Sequence, residues 1–204
     1  MKKALVVVFA GLAMMASVSS FAKGDPAKGK SLSATCSACH GADGNSSNPE
    51  WPKLAGQGEG YLAKQLNDYR SGARVNAVMS AQAGLIASDE DVEHLAAYFA
   101  SQKTTAGAGD KDKVEEGRLI YKGGKVSAKI TACAACHGPT GVGNDAAKFP
   151  RLAGQHTTYL LAQLKAFRSG ERANDAGKMM RNIASKMSDT DMDAIVEYVS
   201  GLKD

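Results

Sequence analysis

The chain carries two copies of one short chemical pattern, Cys36-Ser37-Ala38-Cys39-His40 and Cys133-Ala134-Ala135-Cys136-His137. Two thiols three positions apart, with an imidazole directly behind them, suit the covalent capture of a porphyrin. Each thiol can form a thioether with one vinyl group, and the neighbouring imidazole then lies under the iron as an axial ligand. Other uses of paired cysteines fit less well. A thioredoxin-like redox pair needs a βαβ setting that neither copy shows. A zinc site would bring the two pairs together, yet 93 residues separate Cys39 from Cys133, against about 15–20 in zinc ribbons. Disulfides within each pair would explain neither the histidine nor the repetition. The motifs therefore predict two covalently bound haem c groups, with Cys36, Cys39, Cys133 and Cys136 as thioether sites and His40 and His137 as iron ligands. No cysteine is left over.

What fills the sixth iron position decides between electron transfer and catalysis, because an occupied site leaves no place for peroxide or oxygen. Methionine and histidine are the candidates. After residue 22 the first half has one methionine, Met79, and one further histidine, His94; the second has Met179, Met180, Met187 and Met192, and one further histidine, His156. Neither spare histidine is repeated: His94 faces Ala194 and His156 faces Gly58, so both are expected to be surface or supporting residues. Met79 does have counterparts at the same place in the repeat. Aligned without a gap from the following Ser-x-x-Asp it meets Met179; with a one-residue gap it meets Met180. Met187 and Met192 are assigned to the core.

The elements that must position these residues are themselves duplicated. Trp51-Pro52-Lys53-Leu54-Ala55-Gly56-Gln57 recurs as Phe149-Pro150-Arg151-Leu152-Ala153-Gly154-Gln155, Tyr61-Leu62 as Tyr159-Leu160, Gln65-Leu66 as Gln163-Leu164, and Arg70-Ser71-Gly72 as Arg168-Ser169-Gly170. Asp25-Pro26 reads as an N-cap followed by a helix-opening proline. Leu62, Leu66 and Tyr69, with Leu160, Leu164 and Phe167, mark a one-faced middle helix. Ser88-x-x-Asp91 and Ser188-x-x-Asp191 resemble capping boxes. Behind them Val92, Leu95, Ala96 and Phe99 match Met192, Ile195, Val196 and Val199, the stripe of a last helix. No alternation demands a sheet, so the predicted class is all-α. The second copy carries nine extra residues around Gly123 to Ile130, expected as a surface loop.

Residues 1–22 read as a cleaved export signal: Lys2 and Lys3, an apolar run from Ala4 to Ala16, and Ser20-Phe21-Ala22 as a small-x-small cleavage site. Residues 23–103 and 113–204 then form two units joined by a polar linker, 104–112. Each unit is small for a self-sufficient core, which a bulky apolar cofactor would fill. The formal charge of +4 falls to +2 without the leader. It is too mild for a nucleic-acid binder. Residues 23–103 contain 8 basic and 9 acidic side chains, residues 104–204 contain 15 and 12, so the units differ in sign and could be steered toward different partners.

The segments CSACHG and CAACHG, WPKLAGQ and FPRLAGQ, YLAKQL and YLLAQL, the two Arg-Ser-Gly triplets and GVGND together resemble cytochrome c4, the two-domain dihaem cytochrome family of the bacterial periplasm. The resemblance covers the chain in order from the first helix onward. It implies two class I cytochrome c domains with His/Met ligation, a Met eight residues before the last-helix cap, hence Met180 with Met179 as fallback, and Met79 one position out of that register. It also implies that the carbonyls of Pro52 and Pro150 accept the N–H of the iron-bound imidazoles; stiffening of the turn is the other role open to these prolines. The implied function is a monomeric periplasmic shuttle of single electrons from a quinol-oxidising complex to a terminal oxidase or reductase, with peripheral membrane association compatible. A dihaem peroxidase, or a haem-bearing subunit of a larger oxidoreductase, are the competing readings.

Overall fold

Asp25 caps the first helix as its sequence suggests, its carboxylate accepting from the N–H groups of Ala27 (2.8 Å) and Lys28 (3.4 Å), with Pro26 in the first turn. The computed structural model describes residues 24–107 and 109–203; the expected signal segment lies outside the described residues. Five helices build the first unit: α1 Pro26–Leu32, α2 Ala34–His40, α3 Glu59–Ser71, α4 Ala77–Gly84 and α5 Asp89–Ala100. Five more repeat the order: α6 Lys111–Gly123, α7 Ala134–His137, α8 Thr157–Ser169, α9 Met179–Ala184 and α10 Asp189–Ser200. The described residues contain no strand, only isolated bridges between Lys125 and Ile130 and between Asn144 and Phe149. The fold is all-α. No described helix is long and apolar enough to cross a membrane.

Each unit is organised by the crossing of its first and last helices. Gly29 of α1 lies against the backbone of α5, where a Cβ would stand 1.9 Å from the His94 carbonyl oxygen. Gly117 of α6 lies equally close to α10, 2.0 Å from the Ala194 carbonyl oxygen. Only glycine permits that approach. Behind the crossings, Val92, Leu95, Ala96 and Phe99 are buried with Leu62, and Met192, Ile195, Val196 and Val199 are buried with Leu160, Phe167 and Met187. His94 belongs to this framework. It is buried, and its Nδ1 accepts from the Asp25 N–H at 2.9 Å, pinning the start of α1 to α5.

The copies differ where the second has its insertion. Lys125 and Ile130 bridge around a 3₁₀ turn, Val126–Ala128, leaving Val126 exposed as expected of a surface loop. Ile130, however, is buried in the second core, because an isoleucine at the end of a loop gains more from burial than from water. Lys125 reaches the buried Asp191 at 2.6 Å. Burial opposes ionisation of Asp191, but the hydrogen bonds from Lys125 and Ser188 outweigh it and hold this carboxyl below the usual range. Ser188 and Asp191 complete a reciprocal capping box, whereas in the first unit Ser88 accepts from the Asp91 N–H at 3.0 Å without a return bond among the described residues. The polar run between the units is also ordered. Lys103 to Thr105 is held by Asn45 and Lys53, Gly107 donates to the Ser200 carbonyl at 3.1 Å, and α6 already begins at Lys111, capped by Asp110.

Gly29→Ala and Gly117→Ala should each destabilise the holoprotein by about 1–3 kcal/mol through overpacking, read by denaturant unfolding. Gly84→Ala, where nothing lies within 4 Å of an added Cβ, should be neutral or slightly stabilising.

Candidate haem sites and the seam between them

The cysteine motifs occupy short helices that end at their histidines. Cys36, Cys39 and His40 lie on α2, and Cys133 leads into α7, which carries Cys136 and His137. Gly41 and Gly138 follow with φ of +80° and +78°, a left-handed turn that only glycine adopts freely, so the chain leaves the helix at once. The ensuing loops are pinned by tyrosine hydroxyls from different helices: Tyr98 donates to the Ala42 carbonyl and Tyr121 to the Gly138 carbonyl, both at 2.6 Å. Next, Leu54 and Leu152 return to these loops, donating at 2.7 Å to Gly44 and Gly141, while Gly56 and Gly154 tie the same segments to the ends of α5 and α10.

That return delivers the prolines. Nδ1 of His40 lies 2.8 Å from the Pro52 carbonyl oxygen, and Nδ1 of His137 lies 2.9 Å from that of Pro150. Both imidazoles are buried, and burial holds them below the ordinary histidine range, the proline carbonyls opposing it. A neutral ring that donates from Nδ1 presents a lone pair at Nε2, the form a metal requires. All four cysteines are unbridged and half-buried. Cys36 and Cys133 pack against the two cores, and burial pushes the Cys133 thiol up to about 11. In each unit a half-buried thiol pair and one buried imidazole anchored through Nδ1 fit the covalent attachment of a haem.

The methionines fall on the two helices inserted between the middle and last helices of each unit. Met79 lies on α4, half-buried. On α9 the two candidates part company: Met180 is half-buried and packs on the second core, while Met179 is 41% exposed. Arg70 to Asp89, and Arg168 to Asp189 at 2.6 Å, tie the end of the middle helix to the start of the last and so bracket each methionine helix.

Repeated polar residues build a seam: Gln57 with Gln155, Tyr61 with Tyr159 and Gln65 with Gln163, whose duplication does not by itself name a task, and a further repeated pair, Arg74 with Arg172. Gln155 accepts from the Lys53 N–H and donates to the Lys53 carbonyl, both at 2.8 Å; Gln57 does the same to Arg151, at 2.7 and 3.0 Å. Deeper in, Arg74 reaches Gln65, Gln163 and Tyr159 at 2.8–3.2 Å, and Arg172 reaches Gln163, Gln65 and Tyr61 at 2.9–3.1 Å. Each partner is the repeat counterpart of the other's, so the face is self-complementary in the manner of a two-fold dimer. Differences between the copies break the symmetry: Asn174, the counterpart of Asn76, donates at 2.6 Å to Asp68, which has Ala166 as its own counterpart; Asp145 accepts from the Gly60 N–H at 2.8 Å; and His156, expected at the surface or in support, meets Ser46 at 2.9–3.0 Å. The signal was available in Gln57, Gln155, Tyr61 and Tyr159, whose duplication has no other explanation in the core.

Two all-α units with a buried imidazole behind each thiol pair define a duplicated c-type cytochrome, and the cytochrome c family model matches residues 26–103 and 114–203. The chain is 49% identical to cytochrome c4 of Pseudomonas aeruginosa, covering 89% of this chain and 90% of that one. The crystal structure of reduced recombinant cytochrome c4 from Pseudomonas stutzeri superposes with a TM-score of 0.85 at 44% identity, covering 88% of this chain and all of the other. A thiosulfate dehydrogenase electron acceptor of Stutzerimonas stutzeri is 41% identical, covering 82% and 78%. The chain belongs to the cytochrome c4 family. Its cofactors are two covalently attached haems, one per unit.

Gln57→Ala combined with Gln155→Ala should leave six backbone groups without their side-chain partner, the N–H and C=O of Lys53 and of Arg151 and the N–H of Gly58 and of His156, at about 1–3 kcal/mol for each that stays buried. The expected outcome is looser docking: a larger radius of gyration by small-angle scattering and separate unfolding of the units, with both haem spectra unchanged.

Proposed function

We propose that the protein is a periplasmic one-electron carrier rather than an enzyme, with His40 and Met79 as axial ligands of the first haem iron and His137 and Met180 of the second. Haem supplies the Fe(III)/Fe(II) couple. The chain's own part is to hold the iron's surroundings constant through that change. The Pro52 and Pro150 carbonyls fix ring orientation and make Nε2 more basic. Burial disfavours the imidazolium that would let go of a metal. Met179 and Met180 both offer a thioether sulfur, and their facing separates them: Met180 packs on the second core while Met179 is 41% exposed, and this is the observation that carries the ligand assignment. A methionine in each sixth position raises the reduction potential and leaves no open site for oxygen chemistry.

The seam supports a two-site carrier. Reciprocal amide bonds and two shared arginines hold the units in one arrangement, so that two electrons can be stored or one relayed from unit to unit. The donor is read as a quinol-oxidising complex and the acceptor as a terminal oxidase or reductase. The relative named as an electron acceptor of thiosulfate dehydrogenase makes a sulfur-oxidising enzyme a further donor class. The carrier is monomeric in this reading.

Visible spectroscopy of ligand variants tests the assignment. Met79→Ala and Met180→Ala should each remove about half of the weak long-wavelength Fe–S(Met) band and lower the potential of one haem. Met179→Ala should leave the band intact; its loss in that variant instead would move the ligand to Met179.

A further inference from the structure

The two methionine helices share a place in the repeat but not a surface. From Val75 to Ser88 the first unit has no charged side chain, and Val75 and Leu85 flank α4, each 76% exposed. The corresponding stretch of the second unit, 173–188, carries Asp175, Lys178, Arg181 and Lys186. Asp175 is committed to Arg181, accepting from its Nε at 2.7 Å and from its backbone N–H at 3.0 Å. That leaves Lys178 and Lys186 exposed at opposite ends of α9, with no ion-pair partner among the described residues.

The insertion enlarges this charge. Lys186 Nζ donates to the Lys129 carbonyl at 3.2 Å, fastening the end of α9 to the inserted segment and setting the exposed Lys129 beside it. Lys125 is neutralised by Asp191, with Glu116 also acting on it, and so belongs to the fold. Lys129 is not neutralised, and its segment runs on through Ile130 to Cys133. Exposed lysines therefore stand at both ends of α9 and on the segment that leads to Cys133, whereas α4 and its flanks in the first unit carry no charge and Lys30 is the exposed lysine nearest in sequence to Cys36.

We propose that Lys129, Lys178 and Lys186 form the docking surface for an acidic electron-transfer protein, bringing its redox centre to the second haem. This rests on reading α9 as the ligand helix. Unpaired lysines at the rim of a contact act mainly on the encounter rate, which opposite charge can raise by 10-fold or more at low salt. An anionic lipid surface would meet the same charge, but the single exposed Val126 on the insertion offers too little apolar area for anchoring.

The test uses reduced holoprotein and oxidised plastocyanin as an acidic acceptor of known kind. Lys129→Glu with Lys186→Glu is compared with Lys30→Glu with Lys103→Glu, the same charge change placed on the first unit. The first pair should slow oxidation about tenfold at low ionic strength and the second less than about twofold, the difference vanishing at high salt. Amide shifts of the reduced protein on adding plastocyanin should gather in 122–130 and 178–186. Equal slowing in both pairs, or none in either, would overturn the proposal, since net charge or no charge would then account for the rate. Lysine-dependent sedimentation with phosphatidylglycerol vesicles, without any effect on plastocyanin, would reassign the surface to lipid. The Fe–S(Met) band of each variant separates the two readings: lysine dependence persisting when Met180→Ala keeps the band leaves the surface standing and removes only the ligand assignment.

Discussion

A unit of some eighty residues has little interior of its own, and the two halves of this chain are shaped around that constraint. A domain so small buries a modest fraction of its surface and is marginal without help. The first core consists of seven buried residues on α3 and α5, with Cys36 among those packed against it. Covalent haem answers the shortage directly: a large flat apolar group becomes part of the core and cannot dissociate. Everything local serves its placement. The glycine crossings set first and last helices in contact, the glycine behind each motif histidine turns the chain, and the returning Pro-x-Leu-Ala-Gly-Gln segment brings a carbonyl to each imidazole.

The seam follows from duplication. Two copies of one face can satisfy each other only if each presents both halves of every bond, and Gln57 with Gln155, and Arg74 with Arg172, do so. Its stabilisation comes less from the net worth of each bond, about 1 kcal/mol, than from the cost of burying arginines and amides unsatisfied. No described buried side-chain nitrogen or oxygen lacks a partner. The arginines also lie over aromatic rings, Arg74 4.8 Å from the centre of Tyr69 and Arg172 4.5 Å from that of Phe167, which fixes their reach across the seam. The repeated residues align the units with each other, and Asp68, Asp145 and His156, which have no like residue in the other copy, distinguish the two sides.

Much of this was legible from residue order. The helical class, the Asp25-Pro26 start and the last-helix stripes with Met192 follow from periodicity and capping, which are local, and the core role of Met187 from the ordinary packing use of methionine. The use of Gln57 and Gln155 was not, because a repeat shows that two residues are equivalent without showing that they meet. The insertion reads as loop from the repeat, and its anchoring depends on partners that residue order does not reveal: the second core for Ile130, and for Lys125 the carboxylate of Asp191, 66 residues further along the chain. The repeat alone leaves Met179 and Met180 both open and the family resemblance favours Met180; on α9 the helical turn sets Met180 against the second core and leaves Met179 41% exposed.

Work as a carrier depends on both irons being closed by methionine. Addition of carbon monoxide to the fully reduced protein, as isolated and at neutral pH, tests this most directly. The visible spectrum should remain unchanged at both haems; formation of a CO adduct at either haem without prior denaturation would contradict the carrier and point to an open, catalytic iron.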